Sequence, residues 1–243
     1  MADEIRRIRL GMLTPSSNTV LEPACHALAA GLDGVSVHFA RFAVTQIGLD
    51  AAALSQFDNR PMLAASELLA HAKVDCITWN GTSASWLGLD ADRALVSGIE
   101  AATGIRASTC VLSLVGLLRA RGLSRIGLVT PYTSDVQQRI VERFRTEGIE
   151  TVAESHLGIR DNFTFGTIDR ATLDGQVAAV TAARPEAIVI LCTNVAGAGR
   201  VPRWEAQHDV PVIDSVTVTL WGALQASGWT SPFSAAFGRL FSG

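Results

Sequence analysis

The sequence predicts an α/β protein of two similar halves, each with a parallel sheet covered by helices, related by a pseudo-twofold. Three observations predict it. Short apolar runs alternate with amphipathic stretches along the whole chain. The stretches 8–20, 75–83 and 105–122 recur in the same order at 124–136, 186–194 and 211–228. Of the 243 residues, 48% are hydrophobic and only 18% charged, a balance suited to a chain that buries a large core.

Each element follows from its local pattern. The runs IRLGML (8–13), VSVHFAR (35–41), VDCITW (74–79) and IRASTC (105–110) predict strands, being short, apolar and rich in β-branched residues. Between them, 19–32, 54–72 and 90–104 space their apolar residues by three and four, as helices do. In the second half RIGLVT (125–130), ETVAESHLG (150–158), AIVILC (187–192) and VPVIDS (210–215) predict strands, and 134–148, 169–183 and 217–228 predict helices. Regular alternation implies parallel sheets with helices on both faces. The halves are expected at 1–120 and 121–228, with a tail, 229–243, packing back on the first.

The bulk properties exclude several function classes. A formal charge of −3 without a basic block argues against nucleic-acid binding. No apolar run reaches the ~18 residues of a membrane span, and the first ten residues lack the apolar core of a signal peptide, so a cytoplasmic protein is expected. The four cysteines are scattered and the five histidines form no metal-binding spacing, so neither disulfides nor a metal is expected. The glycines at 197–199 lack a dinucleotide fingerprint, GTSAS lacks the spacing of a nucleophile elbow, and no Walker loop occurs.

Ligands of open α/β sheets bind beyond the carboxyl ends of the strands. Two such halves facing each other would line a cleft with loops 14–19, 80–84, 130–134 and 192–195. In the internal alignment Gly81 falls opposite Cys192, so of two related positions only one carries a thiol. No histidine, lysine or arginine lies on these loops, which favours proton transfer by Cys192 over acyl chemistry. Cys25, Cys76 and Cys110 read as packing. The hydroxyls of Ser16, Ser17, Thr82, Ser83, Tyr132, Thr133 and Thr193 can either cap helices or cradle a carboxylate, and both readings stand at this point.

The segments TPSSNT (14–19), GTS (81–83), PYTSDVQQRI (131–140), LGIRDN (157–162) and CTNVAGAGRVPRWE (192–205) resemble the aspartate/glutamate racemase superfamily. The likeness is to the branch of arylmalonate decarboxylase and maleate cis–trans isomerase, over nearly the whole chain. The resemblance implies a cofactor-free enzyme acting on a small dicarboxylate. Family racemases use two opposed cysteines, whereas the decarboxylase keeps only the second, here Cys192. It implies a dioxyanion hole at Gly81, Thr82, Ser83 and Tyr132, with Pro15, Ser16, Asn18, Asn162 and Thr193 as further substrate contacts. Asn18 and Asn162 match carboxylate-binding asparagines of the isomerase, while Phe163 and Phe165 are candidates for an apolar wall. The leading expectation is decarboxylation of a malonate-type diacid through an enediolate protonated by Cys192. The alternatives are isomerisation or racemisation of a small dicarboxylate or amino-acid derivative, and a non-catalytic carboxylate-binding protein. A cysteine introduced at Gly81 is expected to add racemase activity. A homo-oligomer is compatible with these features; nucleic-acid and membrane partners are not expected.

Overall fold

The computed structural model describes residues 7–241. In chain order its elements are β1 (Ile8–Pro15), α1 (Leu21–Ala29), β2 (Val35–Phe42), α2 (Ala51–Ser55), α3 (Asn59–His71), β3 (Cys76–Trp79), α4 (Ala84–Leu87), α5 (Leu89–Thr103), β4 (Ala107–Thr109) and α6 (Cys110–Ala120). They continue with β5 (Arg125–Val129), α7 (Ser134–Thr146), β6 (Glu150–Ser155), α8 (Asn162–Phe165), α9 (Arg170–Thr181), β7 (Ala187–Ile190), α10 (Val201–His208), β8 (Val212–Asp214) and α11 (Ser215–Ala226).

The strands form two sheets of identical design, ordered β2-β1-β3-β4 and β6-β5-β7-β8, with every pairing parallel. Adding four to each strand number of the first sheet generates the second, which is the internal repeat in three dimensions. The central strands are buried on both faces, so β3 and β7 are apolar or neutral at every position. The two cores merge into one continuous apolar cluster.

Side-chain caps set several helix starts. Asp58, Thr109, Asp161, Asp169 and Asp214 each accept a backbone N–H from the first turn of the helix that follows. Two of these caps adjust the sequence expectation. Asp58 divides the stretch 54–72 into α2 and α3, and Thr109 ends its strand so that Cys110 enters α6 instead of extending β4. The second half also contains α10, for which no helix is expected from the sequence pattern.

The halves interlock through their last helices. α11 packs along α6 and lies against β3, β4 and α1, so a helix from the end of the chain covers the first sheet. The approach of α6 and α11 is close: a Cβ on Gly222 would sit 2.0 Å from the Ser113 hydroxyl. Beyond α11, Trp229–Pro232 lie beside Ile8 and Gly31–Asp33 of the first half. Gly238 and Arg239 then reach α10 of the second, where Arg239 donates its backbone N–H to the Glu205 carboxylate. No helix among the described residues is long and apolar enough to cross a membrane.

Candidate active site

The carboxyl ends of β1, β3, β5 and β7 converge on one cavity. Pro15 and the turn Gly81, Thr82, Ser83 come from the first half; Tyr132, Asn162, Cys192 and Thr193 come from the second. Val44, Ile47, Phe57, Trp79 and Trp86 supply the apolar wall. The cavity is about 20 Å³, room for a single water and less than a diacid occupies. None of the residues that line it carries a formal charge.

Its centre is a chain of neutral donors. The Thr82 hydroxyl lies 2.6 Å from the Tyr132 hydroxyl, which in turn is a hydrogen-bond partner of the Cys192 sulfur. The Tyr132 ring is held edge-on between Trp86 and Phe165, with centroids 5.4 and 5.5 Å away. Burial pushes the Cys192 thiol up to about 12, although Tyr132 and the backbone N–H groups of Asn194 and Val195 pull the other way, and Asp214 adds to the rise. The Tyr132 hydroxyl is also held well above the usual phenol value by burial and by Cys192. Both groups are therefore protonated at neutral pH. A thiol in that state donates a proton to a strong base and is a poor resting nucleophile.

Gly81, which lines the same cavity, is glycine for a steric reason. It is not among the glycines with positive φ. A Cβ on it would instead lie 2.0, 2.3 and 2.6 Å from three atoms of the Trp79 indole. Trp79 is buried, tilts onto Phe42 at 5.1 Å, and donates its N–H to the Ser83 hydroxyl at 3.4 Å. A side chain introduced at Gly81 therefore requires the Trp79 indole to shift.

Other residues named from the sequence stand elsewhere. Asn18 does not line the cavity. Its Oδ1 accepts from Val20 and Leu21 N–H at the start of α1, and its Nδ2 donates to the Thr193 hydroxyl at 3.2 Å. Thr193 donates onward to the Asn80 carbonyl at 2.8 Å, so this chain joins the halves. Ser16 is exposed, and its hydroxyl both donates to and accepts from the Val44 backbone. Phe163 is 54% exposed and Phe165 lies behind Tyr132, so neither forms the apolar wall. Asn162 does reach the cavity and donates to the Ser17 hydroxyl at 2.8 Å.

The wall residues escaped the sequence reading, whereas Asn194 falls within the loop 192–195 named there. Asn194 accepts from Thr19 and Val20 N–H and donates to the Asn162 carbonyl, a second tie between the halves. Trp79 was accessible in principle, because residues two apart in an extended segment share a face, and Trp79 precedes Gly81 by two. Cys25, Cys76 and Cys110 are buried away from the cavity. His156 bridges Ser134 and Glu154 and does not line it.

The family model described as arylmalonate decarboxylase matches residues 10–241. The chain belongs to this family. It is 27% identical to the arylmalonate decarboxylase of Bordetella bronchiseptica, over 94% of this chain and 91% of that one. It is equally 27% identical to a maleate isomerase of Pseudomonas putida, over 97% of each. Among solved structures, the maleate isomerase Iso from Pseudomonas putida S16 superposes with a TM-score of 0.87 at 24% identity, covering 98% of this chain and 99% of its own. An arylmalonate decarboxylase superposes at 0.74 and 24% identity, covering 96% and 98%. The family's named members are enzymes of two reaction classes, a decarboxylase and isomerases, that share one two-sheet fold.

Proposed function

We propose that the protein is a cofactor-independent decarboxylase of a malonate-type diacid. The observation that carries this reading is a single protonated thiol in a cavity it shares with a glycine whose side-chain space is filled by an indole. In this reading one substrate carboxylate accepts hydrogen bonds from Thr82, Ser83 and Tyr132, and the other is pressed against the wall of Val44, Ile47, Phe57 and Trp86. With no cation lining the cavity, a second carboxylate is poorly solvated there, and losing it as CO2 relieves that penalty. The C–C bond breaks and its electron pair passes to the α-carbon and the remaining carboxylate as an enediolate. The hydroxyl donors stabilise the charge as it develops. Cys192 then transfers its S–H proton to one face of the α-carbon, and its thiolate regains a proton from water. The product is one enantiomer of a monoacid.

The test is incubation with 2-aryl- and 2-alkylmalonates, measuring CO2 and the handedness of the acid formed. Release of CO2 with a single enantiomer supports the reading. Maleate turned to fumarate, with malonates untouched, overturns it in favour of the isomerase reading. That second reading draws on Asn162 in the cavity and on the relatives named maleate isomerase. Against it stands a single cavity thiol, held protonated, with glycine and no second cysteine at position 81. Binding of dicarboxylates with no turnover of either kind would leave a carboxylate-binding protein.

A further inference from the structure

We propose that Trp79 is a specificity-determining residue of this cavity: its indole fills the side-chain volume of position 81, confines the chemistry to one thiol, and orients Ser83. The chemical part of this proposal rests on the decarboxylase reading above; the steric part does not.

Three independent contacts fix the indole. Trp79 is the last residue of β3, in register with Leu13 of β1 and Thr109 of β4. Phe42, at the end of β2, packs on its ring at 5.1 Å. Its N–H donates to Ser83 at 3.4 Å. The result is that Cζ2, Cε2 and Cη2 stand within 2.6 Å of where a Cβ on Gly81 would be. Real Cβ contacts do not approach so closely, and a buried indole packed on Phe42 and bonded to Ser83 has little room to retreat. Glycine at 81 and tryptophan at 79 therefore behave as one unit. Because the indole N–H already occupies an acceptor site of the Ser83 oxygen, the Ser83 hydroxyl proton is left to be donated, the polarity a carboxylate or enediolate requires.

A stability cycle tests the steric part. Gly81→Ala should lower the urea midpoint strongly, and the same change made with Trp79→Leu should cost little, because leucine lacks the three colliding atoms. Equal losses in the two backgrounds would overturn the proposal; a single variant that fails to fold, rescued in the double variant, supports it. Proton exchange tests the chemical part. A 2-arylpropionate in D2O is followed by NMR and chiral analysis. With Trp79→Leu and Gly81→Cys together, the introduced thiolate removes the α-proton, the electron pair moves into the carboxylate as an enediolate, and Cys192 returns a deuteron to the opposite face. Exchange with racemisation should then exceed that of Gly81→Cys alone by about 10²-fold, the scale of a positioned acid–base group. Equal exchange in the single and double variants overturns the blocking role. Trp79→Phe, which keeps a ring but loses the N–H, should lower kcat of malonate decarboxylation more than it raises KM. If no form, wild type included, decarboxylates malonates, the decarboxylase reading fails while the stability cycle still decides whether Trp79 fills position 81.

Discussion

At the residue scale, the proposed decarboxylation requires Cys192 to stay protonated until a strong base forms beside it. Burial in an uncharged cavity provides this without a histidine partner. Cys192→Ala is expected to slow malonate decarboxylation by about 10²–10⁴-fold, the usual contribution of a positioned proton donor. Undiminished turnover in that variant would remove the proposed role. Tyr132→Phe takes away the proposed donor to the carboxylate and the partner of Thr82, and should cost about 10²–10³-fold in kcat, measured by steady-state kinetics. The direction of the thiol shift also sets the pH profile. The donor form persists up to about 12, so kcat should show no falling limb between pH 7 and 10; one centred near 9 would mean an unshifted thiol. That Gly81 and Cys192 reach one cavity was legible in the sequence because duplication aligns loops without needing coordinates. The direction of the Trp79 indole was not, because Phe42 on β2 and Ser83 beyond β3 fix it together.

At the element scale, the segment between β2 and α3 supplies much of the apolar wall. It contributes Val44, Ile47 and Phe57 to the wall of a cavity with room for one water. It is tied to the second half by Ile47 N–H to the Arg160 carbonyl and Asn162 N–H to the Thr45 carbonyl, each 2.9 Å, and by the ion pair of Arg160 with Asp50. That ion pair is exposed, so its contribution is small and weakened by salt. Arg160→Ala should accelerate amide exchange across 44–57 at low salt, with the difference from wild type shrinking at high salt. Identical exchange in both proteins would show that the backbone ties alone hold the wall. The strands and most helices were legible because apolar period and caps are local signals. The division of 54–72 was missed because Asp58 caps a helix start inside an otherwise helical apolar pattern.

At the scale of the whole molecule, the halves are joined by α11 on the first sheet and by the side chains of Asn18, Thr193 and Asn194. Gly222→Ala places a methyl against Ser113 in the α6–α11 contact and should destabilise by about 1–3 kcal/mol, read from the urea midpoint. Two buried carboxyls, Asp92 and Asp214, are raised by desolvation to about 7. The folded state thus holds their protons more tightly than the unfolded chain does. The stability they contribute is full below about pH 4 and is lost as pH rises towards and through about 7. Asp214 also caps α11, a role asparagine can fill through its own oxygen. Asp214→Asn should therefore flatten the fall in melting temperature between pH 5 and 8, and an unchanged slope would show that Asp214 titrates normally.

The sequence by itself determined the α/β class, the duplication, and the strand ends that bring Gly81 and Cys192 to one cavity. All of these are written in local periodicity and in the repeat. Only the tertiary structure decided that Asn18 and Ser16 serve the scaffold, that Val44, Ile47 and Phe57 form the wall in place of Phe163 and Phe165, and that Trp79 stands where a second thiol would. The physical reason is that a side chain's role depends on which neighbours arrive from distant strands and which acceptors they have already taken, and neither is encoded in the spacing of its own segment.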